Sequence, residues 1–547
     1  MATSSPLAAF LKWEAQCPQD LFLRQPFNGN WTTWTWQQAG EEARRIAQGL
    51  RSGGLQPGDH VAILSKNCAH WIMADLAIMM AGCVSIPIYP TLTAASIEPI
   101  LQHSNSKAIF IGKLDDFTAQ QPGIPEELLQ IGITAYGTGL QHAWEDWCQQ
   151  HTPLVQLHEW QPDELFTIMY TSGTTGQPKG VMHTCGNIDR VLQTASQELT
   201  LPRRPALFSY LPLSHIAEKV GIQMNGLYNG GTFSFAETLE SFGANLEATQ
   251  PHCFFAVPRI WGKFREGILK KFPEKKLRTL LGIPLLGNLL RKKIRQKLGL
   301  GRATHIFSGA APLSLDNLKW FNRLGITIFQ AYGMTEDCVY AHFERPGTRR
   351  MGSVGKPLPG LQTKISPEGE LLVKSASLMK GYYKEPELTA AMFDADGYLR
   401  TGDKVEYDHE GFLFITGRVK DQFKTDKGKY ISPAPIELQL MACELVEQVC
   451  VVGMGIPQPL ALVTLNEVGR KQSREAINHA LSVLLQQINP GLEHHEQLEK
   501  AVVMKENWTV ENGLLTPTLK VKRNEVEKIH QPYYPAWFHQ AETVIWE

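Results

Sequence analysis

The feature that most constrains this chain is a repeated alternation of short apolar runs with stretches of helical period. Val61–Ser65 follows the Pro57-Gly58-Asp59 turn, a helical pattern covers His70–Ala81, and a buried strand is expected at Val84–Tyr89. Further strands are expected at Ala108–Ile111, Phe166–Tyr170, Ala206–Leu211, Thr232–Phe235, Cys253–Val257, His305–Phe307 and Ile326–Gln330. Short strands separated by helices pair through crossovers, which predicts a largely parallel α/β architecture. The longest uncharged run, Leu76 to Ile97, is long enough to span a bilayer. Gly82, Pro87, Pro90 and several hydroxyls interrupt it, so it reads as a helix end, a buried strand and a turn.

At roughly 100–200 residues per domain, 547 residues imply more than one folding unit. The texture changes after Thr416, where lysines cluster between Lys420 and Lys429 and a new series of patterns begins. A boundary near Gly417–Lys420 is expected, giving domains 1–417 and 418–547. The nine cysteines form no CxxC pair, which argues against a zinc site or a disulfide framework and for a reducing, cytoplasmic compartment. No basic stretch precedes the apolar Leu7–Leu11, which argues against a secretory signal.

The strongest local motif is Tyr170-Thr-Ser-Gly-Thr-Thr-Gly-Gln-Pro-Lys-Gly180, directly after an apolar strand. Its glycines let backbone N–H groups approach an anion, Thr171, Ser172, Thr174 and Thr175 add donors, and Lys179 adds charge. A phosphate cradle is the chemical reading; a glycine-rich surface turn has the same composition. It is no Walker A loop, because no Gly-Lys pair here precedes Ser or Thr. Four more segments follow: Ser308-Gly-Ala-Ala-Pro312, Gln330-Ala-Tyr-Gly-Met-Thr-Glu336, Tyr398-Leu-Arg-Thr-Gly-Asp403 and Ile415-Thr-Gly-Arg-Val-Lys-Asp421. Each alone is equally a turn, a cap or a solvated basic pair.

Together and in this order, the segments resemble those of the adenylate-forming enzymes, from about residue 20 to 530. Ile88-Tyr-Pro-Thr91, Leu211-Pro-Leu-Ser-His-Ile-Ala-Glu-Lys219, Phe255-Ala-Val-Pro-Arg-Ile-Trp261 and Leu515-Thr-Pro-Thr-Leu-Lys-Val-Lys-Arg523 are similar to long-chain fatty acid–CoA ligases. The resemblance implies a large α/β domain of several subdomains with parallel sheets, and a smaller, mobile α+β domain at the C-terminal end. It implies ATP-dependent conversion of a fatty acid to acyl-adenylate and then to acyl-CoA, with Mg²⁺ as cofactor and no nucleic-acid partner. The rival readings are an acyl-activating enzyme that stops at acyl-AMP or uses a carrier-protein acceptor, and a non-catalytic acyl-nucleotide-binding protein.

The resemblance also implies roles. Thr171, Ser172, Gly173, Thr174, Thr175, Gly176 and Lys179 would hold the β- and γ-phosphates. Glu336 would coordinate Mg²⁺ and Thr335 would contact the α-phosphate. Tyr332 would stack on adenine, with Gly309 and the Gln330–Ala331 backbone lining the base pocket. Asp403, assisted by Arg418, would accept the ribose hydroxyls. Lys520 would bridge the reacting carboxylate and the α-phosphate, with Lys522 a competitor two residues on. Lys420 would be the hinge and His215 would shape the acyl pocket. One position departs from the family: Cys185 stands where a histidine is common, which is read as a tolerated change at a helix start.

Net charge hides an asymmetry. Residues 261–302 hold 13 Lys and Arg against Glu266 and Glu274, a net of +11, so the rest of a chain totalling −1 carries −12. Peripheral contact with an anionic membrane is one reading of this basic–apolar segment. A solvated helical face, or local attraction for nucleotide and coenzyme A phosphates, are the others.

Overall fold

The computed structural model describes residues 5–172 and 178–547. Two large mixed sheets form the frame. In the eight-stranded sheet, Leu165–Ser172, Val84–Ile88, His60–Leu64, Ser106–Ile111, Leu129–Gly132 and His142–Ala143 lie side by side in parallel. Pro178–Thr184 and Gly381–Tyr382 extend it in antiparallel fashion. In the nine-stranded sheet, Leu21–Phe27, Thr232–Phe235, Ala206–Ser209, Cys253–Ala256, His305–Ser308 and Phe329–Tyr332 form the parallel centre. The architecture is therefore α/β with parallel sheet centres.

The uncharged run is explained by the helix Ala69–Met80, all of whose residues are buried between the two sheets. The strand Val84–Ile88 follows it after a turn. Among the described residues no helix is long and apolar enough to cross a membrane. The helix carries one charge, Asp75, and a lysine 144 positions away neutralises it. Lys219 Nζ reaches both Asp75 oxygens at 2.8 and 2.9 Å, and both side chains are fully buried. Ser85 and Gln223 complete the carboxylate's shell.

Two elements differ from expectation. The strand expected at Ile326–Gln330 forms at Phe329–Tyr332. Gly325, at φ +72°, caps the preceding helix, and the Ile326 N–H is spent on the carbonyl of Phe321. That leaves Ile326 to the cap rather than to the sheet. The second difference is a four-stranded antiparallel sheet of Gln362–Ile365, Glu370–Lys374, Leu399–Tyr407 and Leu413–Arg418, which the parallel pattern did not announce.

After Arg418 the chain passes an exposed turn containing Lys420. A separate four-stranded sheet, Val446–Val452, Leu460–Leu465, Lys500–Val503 and Val544–Trp546, then packs on its helices around its own apolar cores.

Candidate nucleotide and acyl site

The strand His305–Ser308 ends in the turn that holds Gly309, and its neighbour in the sheet, Phe329–Tyr332, ends in the YGMTE loop. A side chain at Gly309 would place its Cβ 2.9 Å from the Ala331 carbonyl and 3.0 Å from the Phe255 ring. Glycine is thus what lets the two strand ends sit against each other. Gln330 is fixed twice, by its N–H to Glu344 at 2.8 Å and by its amide to the Ser353 carbonyl at 2.7 Å.

Tyr332 is buried, and its hydroxyl donates to Asp403 Oδ2 at 2.7 Å. Arg418 pairs with Asp403 across the antiparallel strands and donates through Nε to Oδ1 at 2.9 Å. The base-stacking candidate, the ribose candidate and its arginine thus form one hydrogen-bonded chain.

Glu336 is buried and accepts the Tyr382 hydroxyl at 2.8 Å; burial raises its pKa. Lys179 lies 5.5 Å from the centre of the Tyr382 ring, so Tyr382 stands between Lys179 and Glu336. Thr335 is fixed through its carbonyl, which accepts His183 Nε2 at 2.7 Å. His183 is fully buried and that burial drops its pKa to about 4, so it is a neutral donor; its other nitrogen faces the Cys338 thiol at 3.2 Å. Asp337 braces the same loop by accepting the N–H groups of Met334 and Val339 at 2.9 and 2.8 Å. Tyr382, His183, Cys338 and Asp337 escaped the sequence reading. Only Asp337, adjoining the motif, carried any local signal there.

Of the phosphate-loop candidates, Gly173, Thr174, Thr175 and Gly176 lie outside the described residues. Thr171 ends the strand leading into them, as does the backbone of Ser172. The departure at Cys185 is accounted for. It begins the helix Cys185–Glu198 and is buried, while Thr184 and Asn187 close a reciprocal capping box around it. A small apolar group fills that place.

A cavity of about 1970 Å³ joins these parts. Thr171, Tyr332, Thr335, Glu336, Asp403 and Arg418 lie on one wall, and Lys520 and Lys522 lie on the wall from the C-terminal region. Lys520 ends a tight hairpin whose Leu519 has φ +62°, closed by the Thr516 N–H to the Lys520 carbonyl at 2.8 Å. The surrounding protein and Arg418 lower the Lys520 pKa, and Asp403 opposes them. His215 also lines the cavity, and burial with the nearby Lys520 ammonium drops its pKa to about 4. Lys520 therefore feels Asp403 and Arg418 together, and His215 in turn feels Lys520. Lys522 precedes the helix Arg523–His530 and donates its N–H to the Leu514 carbonyl.

The site fits a small hard cation bound with few protein ligands. Glu336 lies buried in the cavity wall, and Tyr382 occupies its Oε1 alone, which leaves Oε2 as the oxygen that could bind a cation. Mg²⁺ keeps several waters and shares its shell with phosphates, so one carboxylate suits it.

Residues 10–383 match the model of a family described as AMP-binding enzyme, and residues 420–535 match the one described as AMP-binding enzyme C-terminal domain. A long-chain-fatty-acid–CoA ligase of Mycobacterium bovis is 29% identical, over 95% of this chain and 94% of its own length. The peroxisomal long chain acyl-CoA synthetase 7 of Arabidopsis thaliana is 30% identical, over 91% and 80%. Among solved structures, the adenylation domain of a carboxylate reductase from Mycobacterium chelonae superposes with a TM-score of 0.82 at 21% identity, covering 99% of this chain and 92% of that one.

Proposed function

Because the chain belongs to the AMP-binding, adenylate-forming enzyme family, we propose that it activates a long-chain fatty acid with ATP and transfers the acyl group to coenzyme A. The observation that carries this reading is the convergence of Tyr332, Asp403, Arg418 and Lys520 on one large cavity. The long-chain part rests on the names of relatives that align over nearly the whole chain.

In the first half-reaction the fatty carboxylate attacks the α-phosphate and pyrophosphate leaves. The two reactants repel, so fixed cations and donors must offset their charge. Lys520 bridges the carboxylate and the α-phosphate. Thr335, held by His183, donates to the same phosphate. Tyr332 stacks on adenine against Gly309 and the Gln330–Ala331 backbone, and Asp403 accepts the ribose hydroxyls. Lys179 and the loop from Thr171 to Gly176 hold the outer phosphates. Glu336 would hold Mg²⁺, which would supply charge neutralisation on the phosphates. In the second half-reaction the coenzyme A thiol loses its proton, attacks the acyl carbon and releases AMP. His215, neutral at physiological pH, shapes the acyl end of the cavity rather than supplying charge.

This reading divides the chain into an adenylation domain, 1–417, and a mobile domain, 418–547, that turns about Lys420 between the half-reactions. Lys420 suits a hinge because it is exposed on a turn. Peripheral contact with a membrane through 261–302 belongs to the same reading.

The test is purified protein with ATP, Mg²⁺, coenzyme A and fatty acids of graded length. AMP and acyl-CoA are the expected products, with Lys520→Ala slowing adenylation far more than thioester formation from supplied acyl-AMP. Lys522→Ala should spare adenylation. Acyl-AMP without thioester would point to a different acceptor, and equal loss of both steps in Lys520→Ala would overturn its role.

A further inference from the structure

The helices Glu274–Gly282 and Pro284–Lys297 meet in a sharp corner. At that corner Ile283, Leu285, Leu286 and Leu289 are 47, 88, 42 and 64% exposed. Other exposed large aliphatics among the described residues, such as Val155, Leu239 and Leu315, are scattered through the chain. Single exposed aliphatics are ordinary, whereas four within seven residues form a patch that water disfavours.

The corner is built to hold its shape. A Cβ at Gly287 would lie 2.5 Å from the Leu281 carbonyl, so the glycine lets the second helix press against the end of the first. Arg291 then ties three parts together, donating to the carbonyls of Arg323 and Leu281 and to Asn288 Oδ1. The leucines are therefore presented by a fixed frame.

Of the segment's 13 cations, Lys263 and Lys270 line the cavity, and the other eleven divide into two groups. Arg265, Arg291, Arg295 and Arg302 bind carboxylate, amide or carbonyl oxygens, and Lys297 pairs with Glu247. Lys271, Lys275, Lys276, Arg278, Lys292 and Lys293 are exposed, and among the described residues none of their charged groups makes an ion pair or hydrogen bond. The segment's two acids do not offset them. Glu274 is held by Trp320 and Arg323, and Glu266 sits on the cavity wall of the preceding helix. Along Pro284–Lys297, Leu285 and Leu289 stand four apart, and Lys292 and Lys293 follow three and four later. One helix face thus runs from apolar to basic, the arrangement that seats leucines below lipid headgroups and lysines among them.

We propose that the Ile283–Leu289 corner is the point at which this enzyme inserts into an anionic bilayer, with the six free cations gripping the headgroups. The proposal sharpens the membrane reading of 261–302 and borrows its purpose, delivery of a membrane-partitioned fatty acid, from the proposed activity. Binding itself needs neither ATP nor acid, so the two readings fail separately.

The test is co-sedimentation of the full chain with vesicles of phosphatidylcholine, alone or mixed with phosphatidylglycerol, at low and high salt. The wild type should bind the anionic vesicles, and Leu285→Ser/Leu289→Ser should lower the partition coefficient at least tenfold. The variant Lys275→Gln/Lys276→Gln/Lys292→Gln/Lys293→Gln should weaken binding by about fivefold per charge at low salt and flatten the salt dependence. Both variants should keep the wild-type circular dichroism spectrum and the wild-type rate of ATP–pyrophosphate exchange with a short, water-soluble acid. Equal binding to neutral vesicles would overturn the proposal, as would indifference to the leucine change. A dimer that dissociates in Leu285→Ser/Leu289→Ser, without vesicle binding by the wild type, would assign the patch to a second copy of the chain instead.

Discussion

Removing the Tyr332 hydroxyl separates its polar role from its ring. Tyr332→Phe keeps the ring in its buried place but takes from Asp403 Oδ2 a donor at 2.7 Å. Burial and the Asp403 charge both raise the phenol's pKa, so it is a donor throughout the working pH range. A hydrogen bond to a charged group contributes about 1.5–3 kcal/mol. At about 1.4 kcal/mol per decade, that corresponds to roughly 10- to 150-fold in affinity. The Asp403 side chain is 16% exposed and keeps Arg418 at 2.9 Å, so water can recover part of the loss. The expected effect is thus about tenfold, near the lower bound of that range. Titration calorimetry with AMP should show Kd rising by that factor, and ATP–pyrophosphate exchange should show a matching rise in KM with kcat nearly unchanged. That split is expected because the proposed ribose contact would be made equally in ground and transition states. Tyr332→Ala should bind AMP more weakly still, because it also removes the stacking face. Wild-type affinity in Tyr332→Phe would refute the chain from Tyr332 through Asp403 to the ribose. A fall in kcat with constant KM would move the interaction to the transition state.

Three further perturbations follow from buried groups. Lys219→Met should destabilise the protein by about 3–5 kcal/mol in chemical denaturation, because Asp75 is left charged and unpaired in the core. Lys219→Met/Asp75→Leu should recover most of that loss, and a stable single variant would show the pair to be idle. Glu218 is buried among Ser209, the Tyr210 N–H and Asn67, and burial raises its pKa to about 8. Its raised pKa contributes stability that is complete below the ordinary value near 4.5 and lost as pH rises through about 8. Glu218→Gln escapes that loss, so its unfolding midpoint should gain on the wild type across this window; parallel curves would contradict the assignment. His183→Leu removes the donor to the Thr335 carbonyl and should lower kcat of pyrophosphate exchange about tenfold, from a lost buried hydrogen bond, with KM for ATP little changed. An unaltered kcat would make His183 a packing residue only.

The contrast between what could and could not be read from the chain follows from sequence distance. Periodicity located Val84–Ile88 and Thr232–Phe235 because a buried strand's composition is local. It misplaced Phe329–Tyr332 because the helix cap at Gly325 took the N–H of Ile326, a competition that hydrophobicity does not register. The ordered motifs pointed to Tyr332, Asp403 and Arg418, each in its own segment. Their joining into one hydrogen-bonded chain spans 71 positions between Tyr332 and Asp403 and needed coordinates. His183 is harder still. Its partners, Thr335 and Cys338, lie 152 and 155 positions on, and nothing around His183 in the chain marks it as the support of a distant loop.

The charge asymmetry shows why a segment's net charge is a poor measure of its available charge. Residues 261–302 total +11, but arginine and lysine divide the work by geometry. Arginine's planar fork can donate to two or three carbonyls at once, and Arg291, Arg295 and Arg302 do so at helix ends. Those cations are structural: Arg291 and Arg302 satisfy carbonyls that helices leave open at their C-terminal ends, and Arg295 satisfies those of the turn after its own helix and of Gly325. Lysine's single ammonium is more strongly hydrated, and Lys275, Lys276, Lys292 and Lys293 stay in solvent. Exchanging Lys292 or Lys293 for arginine keeps the sum but adds a fork that could turn inward, whereas exchanging Arg291 for lysine keeps the sum and unties the corner. The free charge of this face is therefore set by which basic residue stands at each position, and it gathers beside the leucines because that is where the lysines are.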